Sequence, residues 1–153
     1  MLNSLLERTL IFFFANFPTL ESVLLGGPSG LAWSLACLWA AGTLKRNGMK
    51  TGYTRKVFHF LIFTTVVLLH WRYGTPAVCL FGAMCSLAVF FAVWRGEGSI
   101  LYEAIAREKD APHRTCLVLL PYFTTLAGGV FSNILLGQAP LAGYLVTGIG
   151  DDI

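Results

Sequence analysis

Long uncharged stretches separated by short charged ones dominate the chain. The clearest runs from Tyr73 to Trp94, 22 consecutive positions without a charged residue, and Arg95 ends it. A helix needs about 20 apolar residues to cross ~30 Å of hydrocarbon, because each residue adds about 1.5 Å. This stretch is therefore predicted to be one membrane-spanning helix, with Thr75-Pro76 in its first turn, where a missing backbone N–H is tolerated.

Further stretches predict further spans. Residues 115–150 carry no charge, which is too long for one helix, and Gly137 and Pro140 interrupt them. We therefore expect one span over roughly Cys116 to Leu136 and another from Leu141 onward. The 15 uncharged residues from Val57 to Trp71 would extend only about 22 Å, so flanking cationic side chains must reach the membrane surface to complete that span.

The N-terminal third contains a glycine- and proline-rich interruption. Thr9 to Leu44 is mostly apolar, but Gly26-Gly27-Pro28-Ser29-Gly30 divides it. Either one broken helix or two short ones are consistent with this pattern. A break within lipid would leave backbone groups without hydrogen bonds, so the stretch is expected at an interface or against protein.

These features predict an all-α fold, a polytopic transmembrane helical bundle with about five to six spans, in a single membrane domain over residues 1–153. The composition agrees, because 56% of residues are hydrophobic and only 12% are charged. Nucleic acid is excluded as a partner, since no basic face in water is available. The four cysteines lack zinc-site spacing and are interpreted as small buried apolar residues.

Nine of the 11 basic residues lie in two short stretches of the sequence. These are Lys45, Arg46, Lys50, Arg55 and Lys56, and then Arg95, Arg107, Lys109 and Arg114. The positive-inside rule places both charged loops in the cytoplasm and predicts an integral, multi-pass membrane protein. Within the second loop, residues 95–115, apolar positions at helical spacing follow Ser99 and predict a short helix on the membrane surface.

Three motifs would meet on this charged side. In Thr54-Arg55-Lys56-Val57-Phe58-His59, helical spacing puts Arg55, Lys56 and His59 on one face that could bind phosphates. Ordinary membrane anchoring explains the two cations equally simply. His70 is eleven residues beyond His59, nearly on the same helix face but about 16 Å further along the helix. It is interpreted as a residue at the opposite membrane interface.

The second motif is Lys109-Asp110-Ala111-Pro112-His113-Arg114. Its three potential cations, Lys109, His113 and Arg114, could hold a polyphosphate, because arginine offers a planar fork and lysine a compact charge. A solvated loop is the alternative. The third motif, Gly148-Ile149-Gly150-Asp151-Asp152, combines permissive backbone with two carboxylates and suggests Mg²⁺. Its acids could instead lie in water beyond a helix end.

Together these three motifs resemble the CTP-dependent polyprenol kinases, which phosphorylate phytol, farnesol or dolichol and are themselves similar to phosphatidate cytidylyltransferases. The resemblance covers roughly residues 30–153. It departs where the family usually has Gly-Asp-Gly or Gly-Asp-Ala followed by further helices, whereas this sequence has Asp152 and then ends at Ile153. We therefore expect an N-terminal fragment, completed by a missing C-terminal segment or by a companion chain.

The resemblance implies a membrane kinase that transfers a phosphoryl group from CTP, or another nucleoside triphosphate, to an isoprenoid alcohol held in the lipid bilayer. It implies catalytic roles for Arg55, Lys56, His59 and Asp151, and Mg²⁺ bound by Asp151 and Asp152. The nucleotide would be bound by Lys109, His113 and Arg114. His59 could alternatively accept the proton of the alcohol, since its ordinary pKa lies near neutrality.

Two alternatives remain open at this point. A phosphatidate cytidylyltransferase-like enzyme would use the same cations and metal but make a CDP-lipid and release pyrophosphate. A scaffold or transporter segment would have no catalytic role. The charged residues cluster at one surface, however, and a transporter would be expected to place them along a path through the bilayer.

Overall fold

The computed structural model describes residues 2–136, and every element in that part of the chain is helical. The all-α prediction is therefore confirmed for these residues. The elements, in order, are α1 (Leu2–Asn16), α2 (Leu20–Arg46), α3 (Thr51–Tyr73), α4 (Thr75–Arg95), α5 (Ile100–Ile105), a 3-10 turn (Glu108–Asp110) and α6 (Arg114–Leu136).

Helix α4 lies at the centre of the bundle, where it packs against α2 and α3. The contact surfaces are rich in small side chains, and Ala41, Ala88 and Ala92 are fully buried. Small residues let helix backbones approach closely, which is how helices associate where lipid removes most of the hydrophobic driving force. Phe58, Phe81 and other large side chains fill the remaining core.

Helices α3 and α4 form an antiparallel hairpin across a single residue, Gly74. Its φ of 77° lies in the left-handed region, which glycine adopts at little cost. Helix α4 occupies almost the stretch predicted for it. Helix α3 begins six positions before the predicted Val57, because the charged residues at its start continue the helix rather than precede it.

Helix α2 runs without interruption through the Gly-Pro stretch, so the expected helix break is wrong in its position. The break lies at residues 17–19 instead, where Thr19 Oγ1 caps α2 by accepting a hydrogen bond from the backbone N–H of Ser22 at 3.2 Å. The stretch does lie against protein: a Cβ at Gly26 would come within 3.1 Å of Leu80 in α4. A side chain at this position would therefore require Leu80 to shift by a few tenths of an ångström.

The short helix predicted behind Ser99 forms, but its location differs from the prediction. Helix α5 packs against α2, α3 and α4, and Tyr102, Ala104 and Ile105 are almost completely buried. Its apolar residues therefore pack against the end of the helical bundle. The sequence predicts that they contact the membrane surface instead. Apolar periodicity shows that one face is buried but does not identify what buries it.

Three helices in the described part of the chain are long and apolar enough to cross a membrane: α2, α4 and α6 over Arg114–Phe131. This is fewer than the five to six spans predicted for the whole sequence. Helix α3 is about 34 Å long but carries charged residues near both ends, and α1 has only 15 residues. The span expected from Leu141 onward lies outside the described residues.

The outward surface of the bundle is strongly apolar. Trp71 and Trp94, at opposite ends of the α3–α4 hairpin, are each about 80% exposed. Such side chains are typical of the interfacial belts of membrane proteins. The prediction for the cysteines is only partly confirmed, because Cys37 and Cys85 are buried, Cys79 is half-buried and Cys116 is exposed.

Candidate functional site: an apolar cavity with a cationic mouth

A cavity of about 530 Å³ lies between α1, α3, α4 and α6. Its volume is within the range of about 300–1,000 Å³ that is usual for small-molecule sites. Most of its wall is apolar, with Phe58, Ile62 and Val66 from α3 facing Val118, Leu126 and Val130 from α6. Such a wall suits a hydrocarbon chain.

The cavity is long as well as apolar. On α6 its lining extends from Val118 to Asn133, 15 positions and therefore about 22 Å along the helix. The lining near Val118 belongs to the end of the bundle where α5 lies, and Ile105 of α5 also contributes to it. One end of the cavity thus meets the charged loops, and the other continues toward the opposite end of α6.

Two of the predicted catalytic residues line this cavity. Arg55 and His59 are one helical turn apart in α3, and both are half-buried in the wall near the charged end. The His59 ring makes an edge contact with Phe63, with ring centroids 6.2 Å apart at 86°. The predicted shared face is therefore confirmed for Arg55 and His59. Lys56 is half-buried and is not part of the cavity lining.

A pair of hydroxyl groups also lines the cavity. Ser86 of α4 and Tyr122 of α6 are hydrogen-bonded to each other, and Ser86 Oγ donates to the backbone carbonyl of Gly82 at 2.7 Å. The Tyr122 ring packs edge-on against Phe90, with centroids 6.0 Å apart. This pair joins two helices across the cavity wall and places polar atoms on an otherwise apolar surface.

Arg114 is buried at the charged end of the bundle, where protein groups surround its guanidinium. It donates to Glu103 Oε2 at 2.7 Å, to the Ala106 carbonyl at 2.9 Å and to the Arg107 carbonyl at 3.1 Å. Glu97 lies 3.4 Å away, and the Tyr102 ring lies under the guanidinium. These contacts fix the start of α6 against α5. The predicted nucleotide-binding role of Arg114 must compete with them.

Glu103 is the carboxylate at the centre of this network. Burial raises the pKa of Glu103, but hydrogen bonds from Arg114 and from the backbone N–H of Gly98, with the positive charges of Arg114 and Lys45, outweigh that effect and lower the pKa overall. Glu103 is therefore ionised at neutral pH. Its ion pair with Arg114 is one of the contacts that close this end of the bundle.

Other contacts join the two charged loops. Lys45 at the end of α2 forms a 2.7 Å ion pair with Glu108, and Thr54 at the start of α3 donates to the Ala104 carbonyl at 2.8 Å. The loop before α3 and the loops around α5 thus lie at one end of the bundle. Lys109 and His113 lie in the same region, and their side chains are exposed to solvent.

The predicted metal ligands, Asp151 and Asp152, lie outside the described residues. Within residues 2–136 there is no group of three or more His, Cys, Asp or Glu side chains placed to hold a metal ion. The magnesium prediction still depends on Asp151 and Asp152.

The sequence patterns do not identify Glu103, Ser86 and Tyr122. Glu103 could have been found as an acid enclosed between two groups of cations in the loop. Ser86 and Tyr122 could have been found as polar residues inside uncharged stretches, although many such residues only satisfy their own helix backbone. Arg107, which belongs to the second basic stretch, has a buried Nε without a hydrogen-bond partner among the described residues.

Comparisons with known proteins do not extend these observations. No protein-family model matches the chain, and no match was found among curated proteins or solved structures. The resemblance to polyprenol kinases therefore stays a prediction that depends on the three motifs.

Proposed function

We propose that this protein is a membrane kinase that transfers a phosphoryl group from CTP to an isoprenoid alcohol. The observation that supports this most is the long apolar cavity with Arg55 and His59 at the end nearest the charged loops. A hydrocarbon chain would occupy the apolar part, and its hydroxyl group would lie beside the two polar side chains. The cavity therefore provides the environment that a single-chain lipid alcohol requires.

In this proposal the alcohol oxygen attacks the γ-phosphorus of CTP, the bond from that phosphorus to the β–γ bridging oxygen breaks, and CDP leaves. His59 accepts the proton of the alcohol. Arg55, one turn closer to the charged end, stabilises negative charge on the transferred group, and Lys56 adds positive charge nearby. Positioning and charge stabilisation are the main requirements of phosphoryl transfer.

The nucleotide would bind beside the exposed Lys109 and His113. Arg114 would stabilise this site indirectly, because its contacts with Glu103 and two carbonyl groups hold the loop before α6 against α5. Mg²⁺ bound by Asp151 and Asp152 would neutralise phosphate charge.

The proposed membrane arrangement has five to six spans with both charged loops in the cytoplasm. Helix α3 would be a span in addition to α2, α4 and α6, since its length of about 34 Å is sufficient. Its charged residues lie in the first turns and near the C-terminal end, where long side chains can reach the membrane surface.

The direct test uses protein expressed from its complete coding sequence and reconstituted in vesicles with farnesol or phytol. CTP labelled at the γ-phosphate should yield a labelled alcohol phosphate, with CDP as the second product. Arg55→Ala and Asp151→Asn should each lower turnover about 100-fold or more. Unchanged turnover in both variants would refute the assignment, and pyrophosphate with a CMP-bearing lipid would show a cytidylyltransferase instead.

A further inference from the structure

The hydroxyl pair of Ser86 and Tyr122 lies at about the same depth in the bundle as His59. His59 and Tyr122 are each eight positions from the starts of α3 and α6, and Ser86 is nine positions from the end of α4. All three helix ends belong to the charged end of the bundle, so each side chain lies about 12–14 Å from it. The three residues line the same cavity.

The hydrogen-bond pattern of this pair restricts what it can bind. The single hydroxyl proton of Ser86 is donated to the Gly82 carbonyl, so the bond between the two hydroxyls must use the proton of Tyr122. Neither side chain then has a proton left to donate, whereas both oxygens keep lone pairs that can accept. The pair therefore presents acceptors to the cavity.

We propose that Ser86 and Tyr122 receive the hydroxyl group of the lipid substrate and select a free alcohol over the corresponding aldehyde or ester. An alcohol can donate its hydroxyl proton to this pair. The carbonyl oxygen of an aldehyde or ester has no proton to donate, and its lone pairs would face the lone pairs of Ser86 and Tyr122. This inference rests on the proposed function for the identity of the substrate, and it adds the residues that recognise its reacting group. They are positioning residues: the bound alcohol donates to the pair before nucleotide binds, and its hydroxyl then turns about the C–O bond to give the same proton to His59 during transfer.

The test is equilibrium binding of tritiated farnesol to the purified protein, with farnesol, farnesal and the hydrocarbon farnesene as competitors. The wild-type protein should prefer farnesol over farnesal by about threefold to tenfold, the range expected for one hydrogen bond. Ser86→Ala releases the Tyr122 proton to donate to a carbonyl oxygen and should bring this ratio close to one, whereas Tyr122→Phe leaves Ser86 as the single acceptor and should lower the ratio less. Competition by farnesene should stay unchanged, because this hydrocarbon has no hydroxyl group to donate to the pair. A merely structural role of the pair would instead alter the binding of all three ligands together.

Two substitutions provide matched controls. Ser29→Ala removes a hydroxyl that also donates to its own helix backbone, at 3.0 Å from the Gly26 carbonyl, but faces away from the cavity on an exposed surface. Tyr53→Phe removes the hydroxyl of an exposed tyrosine. Both should keep the wild-type preference for farnesol.

An equal affinity of the wild-type protein for farnesol and farnesal would overturn the inference. A preference that survives in both Tyr122→Phe and Ser86→Ala would overturn it too. The assay contains no nucleotide, so its result is independent of phosphoryl transfer. Absence of CDP formation in the reconstituted protein, together with intact selection of the alcohol, would refute the kinase and leave the alcohol site in place.

Discussion

Two arginines near the charged end of the bundle lie in opposite environments. Arg114 is buried, and its donors are directed at Glu103 and at backbone carbonyl groups. Arg55 is half-buried in the wall of an apolar cavity, one turn from His59. The sequence alone assigns both to phosphate binding, but the structure separates a cation that holds helices together from one that faces a ligand-sized space.

The same contrast applies to the regions around them. The end of the bundle around α5 is closed, with Tyr102, Ala104 and Ala106 almost fully buried. The side between α3 and α6 is open and contains the cavity. Substitutions at the closed end should therefore change stability, and those in the cavity should change ligand binding.

The largest change in stability is expected for Arg114→Met. It leaves Glu103 without its main partner and two carbonyl groups without donors, so the free energy of unfolding should fall by about 3 kcal/mol. Thermal unfolding in detergent measures this. The control Arg46→Met alters an exposed cation at the end of α2 and should stay within about 0.5 kcal/mol of wild type. Equal stability of the two variants would contradict the structural role of Arg114.

A somewhat smaller effect is expected for Gly42→Ala at the contact between α2 and α5. A Cβ at this position would overlap the Ile100 carbonyl oxygen and lie 2.7 Å from Ile100 Cγ1. Backbone cannot move as readily as a side chain, so the cost should be about 2 kcal/mol. Gly52→Ala, where no heavy atom lies within 4 Å, is the control and should be neutral or slightly stabilising. If Gly42→Ala were also neutral or stabilising, the close contact between Gly42 in α2 and Ile100 in α5 would be contradicted.

The smallest effect concerns pH. Because the folded-state pKa of Glu103 is lowered, its contribution to stability is complete above the unfolded-state pKa of about 4.3 and is lost as pH falls through the lower folded value. Glu103→Gln should therefore weaken the acid-side decline in unfolding temperature. In an Arg114→Met background the same substitution should have less effect. If the unfolding temperature fell equally at acid pH in wild type and Glu103→Gln, the stabilising role of the Glu103–Arg114 ion pair would be contradicted.

The sequence predicts the helical elements better than their surroundings. The uncharged stretches locate α4 and α6 closely, because charges seldom enter lipid and so mark the span ends. They place the start of α3 too late, since Arg55 and Lys56 lie within the helix. The burial of α5 could not be predicted, because the packing partner of an amphipathic helix is a property of tertiary structure.

The site shows a similar division. Helical spacing correctly puts Arg55 and His59 on one face, because side chains four residues apart are neighbours on any helix. The same local reasoning cannot tell that Glu103, 11 positions before Arg114, engages its guanidinium. It also cannot pair Ser86 with Tyr122, which are 36 positions apart. Contacts between distant positions depend on how the helices pack.

Photo-crosslinking tests most directly whether the cavity is the lipid site. A farnesol analogue with a diazirine on its hydrocarbon chain would be irradiated with the protein in vesicles, and labelled residues would be mapped by mass spectrometry. Labelling is expected at Ile62, Val66 and Leu126, and excess farnesol should suppress it. Labelling confined to the outward-facing Phe60, Leu87 and Leu120, with no suppression by farnesol, would show that the cavity is not the lipid site.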